Sequence, residues 1–161
     1  TLFMNANSLC LQVINELAKI PVTVITNNPC ATACARHEGT KVMITGGRVS
    51  TKKSVLAGSE TLNFLSSRIA DVTVIGCNGI SVDGGITSSN AEAAAIDSMM
   101  VTKAKKCVIC LADYRKIGVT QQYRIADLGK VDILITDSFA DEAVLQQARR
   151  KGINVIQVAV W

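Results

Sequence analysis

The chain has 161 residues, 48% of them hydrophobic but only 4% aromatic, and a formal net charge of +4. This length suits one domain with a sizeable core, and an apolar set made mostly of Val, Ile, Leu and Ala is how parallel sheets covered on both faces read. The charges are scattered and do not by themselves call for nucleic acid. No signal peptide is visible and no apolar run reaches the roughly 18 residues of a membrane span, so the expectation is a cytoplasmic protein with no membrane partner.

Taken in order, the chain opens on a short apolar strand, Leu2-Phe-Met4, with no start Met, and reads as a fragment of something longer. Asn7 or Ser8 can cap a helix whose apolar positions Leu9, Cys10, Val13, Ile14 and Leu17 recur at three to four residues, and Pro21 stops it. Val22–Ile25 is a strand, Thr26-Asn-Asn28 a turn, and Pro29 suits the start of a short helix near Cys30–Arg36. Lys41–Thr45 is a third strand ending in Gly46-Gly47. A polar, basic excursion at Arg48–Ser54 leads to a helix from about Ser59 to Ile69.

The stretch that organises the chain follows the β-branched run Val72–Gly76. It reads CNGISVDGGITSSN from Cys77 to Asn90 and supplies Gly79, Gly84 and Gly85 for tight turns, with Asn78, Thr87, Ser88, Ser89 and Asn90 as hydrogen-bonding groups. A Gly- and hydroxyl-rich loop that leaves a strand and enters a helix is where open α/β sheets place a ligand crevice. A plain surface loop is the alternative. The predicted helix Ala91–Lys105 ends in Lys103, Lys105 and Lys106. Strand Cys107–Leu111 ends in Ala112-Asp113, a longer loop carries Lys116-Ile-Gly118 and Gln121-Gln122, and strand Ile133–Ile135 ends in Thr136-Asp137. Helix Asp141–Lys151, with Gly152 as its C-cap, precedes a last strand, Ile153–Val160.

Strands and helices alternate, so the predicted fold is α/β: an open, mostly parallel sheet with helices on both faces. Polar groups cluster after the strands, and in a parallel sheet those C-terminal ends share one edge. Asn5, Ala6, Asn7 and Ser8 follow the first strand, Thr26 and Asn27 the second, Gly46 and Gly47 the third. Asn78, Gly79, Thr87 and Asn90 come from the central stretch, Asp113 and Lys116 from a later loop. This set of amides, hydroxyls, backbone N–H groups and one cation suits a small polyhydroxylated, phosphorylated molecule.

The inventory is thin for catalysis. His37 reads as a surface or capping residue, and G-x-S-x-G, Walker A and G-x-G-x-x-G are all absent. Asp113 and Asp137 are the remaining acid/base candidates. Cys107 and Cys110 form a C-x-x-C on a strand, where an odd separation sends the side chains to opposite faces. Cys30 and Cys34 share a helix face but have no partner pair at zinc spacing. All six cysteines read as small buried hydrophobes with free thiols, and no metal or cofactor is expected.

The ordered set Val24-Ile-Thr-Asn27, Gly46-Gly47, Asn78-Gly-Ile80, Gly85-Ile-Thr87 with Asn90, Ala112-Asp113 with Lys116-Ile-Gly118, and Leu134-Ile-Thr-Asp137 resembles the C-terminal effector-sensing domain of the DeoR family of bacterial transcriptional repressors. The resemblance covers nearly the whole chain as a single sensor domain. It implies a fold related to ribose-5-phosphate isomerase, a sugar-phosphate pocket, and an N-terminal winged helix-turn-helix, absent here, that binds operator DNA. It also implies self-association, at least as a dimer.

Several positions depart from the family pattern. Its first loop reads Asp-x-Gly-Thr/Ser-Thr, where this chain has Asn5-Ala-Asn7-Ser8-Leu9, and its lysine after Asn90 falls at Asp97. Its Ser-Ser before the usual Lys is Tyr114-Arg115. Three readings remain: a ligand-sensing domain of a regulator of carbohydrate metabolism, a sugar-phosphate isomerase-like enzyme, and a domain that serves assembly alone. Asn78 and Ser81 stand where the isomerase would keep acids, which favours the sensor.

Overall fold

A computed structural model describes residues 1–17, 19–34, 37–50 and 55–160. In chain order, β1 (Leu2–Met4) leads into α1 (Ser8–Leu17), whose Leu9 N–H is capped by Asn7 Oδ1 at 3.0 Å and whose Cys10 and Ile14 are buried. β2 (Thr23–Thr26) is followed by a 3₁₀ turn at Pro29–Ala33, β3 (Lys41–Ile44), a small hairpin of β4 (Arg48–Val49) and β5 (Leu56–Ala57), and α2 (Ser59–Ser66). β6 (Ala70–Gly76), β7 (Gly79–Ser81) and β8 (Gly85–Ser88) come next, then α3 (Ala91–Thr102), capped by Asn90 on the Ala93 N–H. β9 (Ala104–Leu111), β10 (Tyr123–Ala126), β11 (Ile133–Asp137), α4 (Glu142–Arg150) and β12 (Asn154–Val158) complete the fold.

The main sheet has seven strands in the order β12-β11-β9-β6-β1-β2-β3, and every pairing in it is parallel. β1 is short yet central: Met4 lies between Thr26 of β2 and Val74 of β6. The chain winds outward from β1 through β2 and β3, then returns to the other side of β1 at β6. The strand order therefore reverses between β1 and β6, and ligand crevices of open α/β sheets form outside the carboxyl ends of the strands at such a point.

Period-two alternation sorts the core. On one face Met4, Val24, Val74 and Leu111 pack with Cys10 and Ile14 of α1. On the other, Phe3 and Ile25 pack with Leu65 of α2 and with Ile96 and Met100 of α3. Further along that face Ile75, Cys110 and Leu134 meet Val101 of α3, Leu145 and Ala148 of α4, and Ile80 and Ile86. Helices cover both faces, as the sequence predicts.

Several local expectations need correction. The stretch Cys77–Asn90 is not a plain loop: β7 and β8 pair antiparallel and join β10 in a second, three-stranded sheet. Gly85, at φ +72°, makes this possible, since a Cβ there would lie 2.2 Å from the Ala126 carbonyl oxygen. β10 itself falls inside the expected long loop. The expected helix at Cys30–Arg36 is the 3₁₀ turn, with Cys30 exposed and Cys34 buried, so the two do not share a face. Its Ala35 and Arg36 lie outside the described residues, as does Thr51–Ser54 of the basic excursion. α2 and α3 stop short of Ile69 and Lys105, placing Lys105 and Lys106 on β9 rather than in a last helical turn. All six cysteines are free, but Cys30 is exposed and Cys107 half-buried. Cys110 is fully buried, so the C-x-x-C pair does divide between environments. Among the described residues no group of three or more His, Cys, Asp or Glu could hold a metal, and no helix is long and apolar enough to cross a membrane.

Phe3 is fully buried and Ile69 is 66% exposed. Phe3→Ala should cost about 3–5 kcal/mol in urea unfolding, and Ile69→Ala should stay within about 0.5 kcal/mol.

Candidate functional site

The site is built outward from Asn5, the first residue after β1. Its Nδ2 donates to the Gly76 carbonyl at 2.8 Å and to Asp97 Oδ2 at 2.9 Å. Its Oδ1 accepts from the Gly76 N–H at 3.0 Å and from Cys10 Sγ at 3.2 Å. One amide thereby uses its full donor and acceptor capacity. It continues the β1–β6 pairing one step beyond the last backbone pair and ties both strand ends to α1 and α3. A side chain at Gly76 would be driven into Asn7, since its Cβ would lie 2.1 Å from Asn7 Cγ. That glycine lets the first helical cap approach the end of β6.

These strand ends, α3 and the β4–β5 hairpin enclose a cavity of about 280 Å³. Asn5, Asn27 and Asp97 are its buried polar walls, and Leu56, Ala57 and Ile96 its apolar ones. Asn7, Ser50 and Asn78 are half-buried, and Ser89, Asn90 and Glu92 form the exposed rim. Asn27 Nδ2 donates to the Leu56 carbonyl at 3.0 Å, while its Oδ1 is buried with no partner among the described residues. Asn78 Oδ1 accepts from Ser88 Oγ and the Ser89 N–H, both at 3.2 Å, which fixes the loop into α3. At the rim Glu92 pairs with Arg48 at 2.6 Å.

The electrostatics centre on Asp97. Burial pushes its carboxyl up to about 7, against the opposing hydrogen bond from Asn5. Among the described residues lining the cavity there is no Lys or Arg; Asp97 and Glu92 are its ionisable carboxyls. Burial also pushes the Cys10 thiol up to about 12. Cys110 rises well above a normal thiol through its contact with Cys77 and through burial, so these thiols are inert packing groups.

Of the fourteen residues proposed from sequence, Asn5, Ala6, Asn7, Asn27, Asn78 and Asn90 line this cavity. The others do not. Ser8 is the exposed first residue of α1. Thr26 is buried beneath the turn, where its Oγ1 accepts the Asn28 N–H. Gly46 accepts Thr61 Oγ1 with its carbonyl, and Gly47 packs against that same hydroxyl. Thr87 bonds Gly79 and the Gln121 N–H, so both serve the small sheet. Asp113 and Lys116 pair with each other at 3.4 Å, and Asp113 also takes the Arg115 guanidinium. The Arg115 hydrogen bond, with Lys116 nearby, holds the Asp113 carboxyl below its ordinary value despite some burial. Asp137 caps the Tyr114 and Phe139 N–H groups, which is structural work rather than acid/base chemistry. His37 is a turn residue whose Nδ1 accepts the Gly39 N–H.

Sequence reasoning left Ser50, Leu56, Ala57, Glu92 and Ile96 off the site. Leu56 and Ala57 carry no chemical signal. Ser88 and Ser89 stood in the central stretch, and Asp97 was visible only as a departure from a family pattern. A larger hollow of about 520 Å³ lies at the opposite, N-terminal edge of the main sheet, with Lys105, Lys106, Arg124 and Lys130 around it. It sits away from the strand reversal, and Arg124 is held by Asp127 there.

Residues 1–138 match the DeoR C terminal sensor domain. The chain belongs to the DeoR family. It is 32% identical over 154 residues to the HTH-type transcriptional repressor GlcR of Bacillus subtilis, covering 95% of this chain and 59% of that protein. It is 27% identical over 155 residues to the HTH-type transcriptional regulator GlpR of Haloferax volcanii, covering 96% and 60%. It is also 27% identical over 135 residues to the L-fucose operon activator of Escherichia coli, covering 83% and 55%. The chain thus spans about three fifths of the length of the curated relatives it matches.

Asp97 sets a pH prediction. A folded-state value of about 7 lies above the roughly 3.9 of an unfolded aspartate. Its stabilising contribution is full below about pH 4 and is lost as pH rises through about 7. The isosteric Asp97→Asn keeps an acceptor for Asn5 and removes the titration. Measured by urea unfolding, wild type should lose roughly 2–3 kcal/mol relative to the variant between pH 5 and pH 8.

Proposed function

We propose that this chain is the effector-sensing part of a DeoR-type regulator of carbohydrate metabolism, and that a small phosphorylated sugar binds in the cavity between β1, β6 and α3. The observation that carries this is the buried, unpartnered Asn27 Oδ1 in a polar cavity at the strand reversal. A buried acceptor left unmade costs about 1–3 kcal/mol, which a ligand hydroxyl recovers. The size suits a small molecule, at the low end of ligand pockets. The phosphate belongs at the rim, where the first turn of α3 offers N–H groups and its positive dipole end beside Ser89 and Asn90.

The effector acts by binding one arrangement of the full regulator better than another, so that its free energy shifts operator affinity. In this proposal the DNA-binding part is an N-terminal helix-turn-helix beyond this chain, and the regulator works in the cytoplasm as at least a dimer. The isomerase-like reading has one observation behind it: a buried carboxyl near 7 is tuned as a general base would be. Its Oδ2 is already committed to Asn5, and Glu92 at the rim is paired with Arg48, so no second acid/base group stands ready opposite it among the described residues.

A thermal-shift series against sugar phosphates tests the sensor. A ligand at 100 times its Kd adds about 2.7 kcal/mol, roughly 5–10 °C for a domain of this size. Asn27→Ala should abolish that shift and Lys116→Ala should keep it. Loss with Lys116→Ala alone would move the site, and turnover of an aldose or ketose phosphate would favour the enzyme.

A further inference from the structure

The cavity's polar groups are unequally spent. Its buried donors are committed: both Asn5 amide hydrogens go to Gly76 and Asp97, and Asn27 Nδ2 goes to Leu56. Its buried acceptors are not. Among the described residues Asn27 Oδ1 has no partner, and Asp97 accepts one hydrogen bond, through Oδ2 from Asn5, with none to Oδ1. All three side chains are more than nine-tenths buried. Among the described residues, the groups that could serve an anion lie elsewhere, at the exposed rim: the α3 first turn, Ser89 and Asn90.

A phosphate needs donors and positive charge, and bringing one beside the ionised Asp97 carboxylate adds like-charge repulsion to desolvation. A hydroxyl or an ammonium supplies what the two free acceptors lack. We propose, resting on the effector-site reading above, that the buried end of the cavity takes the hydrogen-bond-donating end of a sugar, its hydroxyls or an amine. Asp97 is the specificity-determining residue that keeps phosphate out of that end. A phosphosugar then enters sugar first, with its ester at the rim. An ammonium in contact with Asp97 would be the more favourable donor, because the pair leaves no buried charge uncompensated.

The test titrates glucose, glucosamine, glucosamine 6-phosphate and inorganic phosphate calorimetrically into wild type and Asp97→Asn, with each protein's melt confirming that it is folded. The sugars should bind wild type, and inorganic phosphate should not compete with glucosamine for it. Asp97→Asn should weaken glucosamine by about tenfold, the scale of one charge-assisted hydrogen bond, and weaken glucose less. It should leave inorganic phosphate unchanged or tighter. Competition between phosphate and the unphosphorylated sugars on wild type, or an equal effect of the variant on all four probes, would overturn the inference while leaving the effector site standing. Binding of none of the sugars to wild type would remove the effector reading, and this inference with it.

Discussion

The side chain of Asn5 holds the architecture of the site in place. β1 pairs with both neighbours over only three residues, too few to fix where its end lies relative to the longer β6. Asn5 extends the pairing by two hydrogen bonds to Gly76 and adds one each to Asp97 and Cys10. An aspartate could not donate to the Gly76 carbonyl and would stand as a second anion beside Asp97. The asparagine at 5 and the acid at 97 are therefore one coupled choice. Among the described residues they set the cavity's character as uncharged or acidic, with its spare valence in acceptors.

The sheet, its parallel sense and the position of most strands are legible in the sequence. β-branched runs are bounded by Gly, Pro and Asn, and helical spacing fills the gaps between them. The small sheet is not legible, because β7 and β8 are three and four residues long. β8 takes its place in a sheet by pairing with β10, more than thirty positions away along the chain, and β7 pairs with β8. The 3₁₀ turn at Pro29–Ala33 has the composition of a helix start, and its Ala31 belongs to the core cluster with Val24 of β2.

The site is legible in outline and not in its contacts. The rule that polar residues after parallel strands converge on one edge names Asn5, Asn7, Asn27, Asn78 and Asn90, which line one cavity. It also names Thr26, Gly79 and Thr87, which lie outside that lining and whose groups bond within turns and the small sheet. Asp113 and Lys116, which it names too, pair with each other outside that lining. The bond from Asn5 to Asp97 joins residues 92 apart, and no local pattern announces it. Membership of the DeoR family gives this cavity a context, since its relatives are regulators. The chemistry inside the cavity is this chain's own.

The measurement that bears most directly on the account is the response of the side-chain amides in the NMR spectrum to a sugar that shifts the melting temperature. The Asn27, Asn78 and Asn90 amides should move first and furthest. Asn5 should move with them through its bond to Asp97, while the backbone amides of Lys105, Lys130 and Lys116 stay in place. Perturbations centred on the basic hollow around Lys105 and Lys130, or on the Asp113–Lys116 loop, with the four asparagines unmoved, would contradict it.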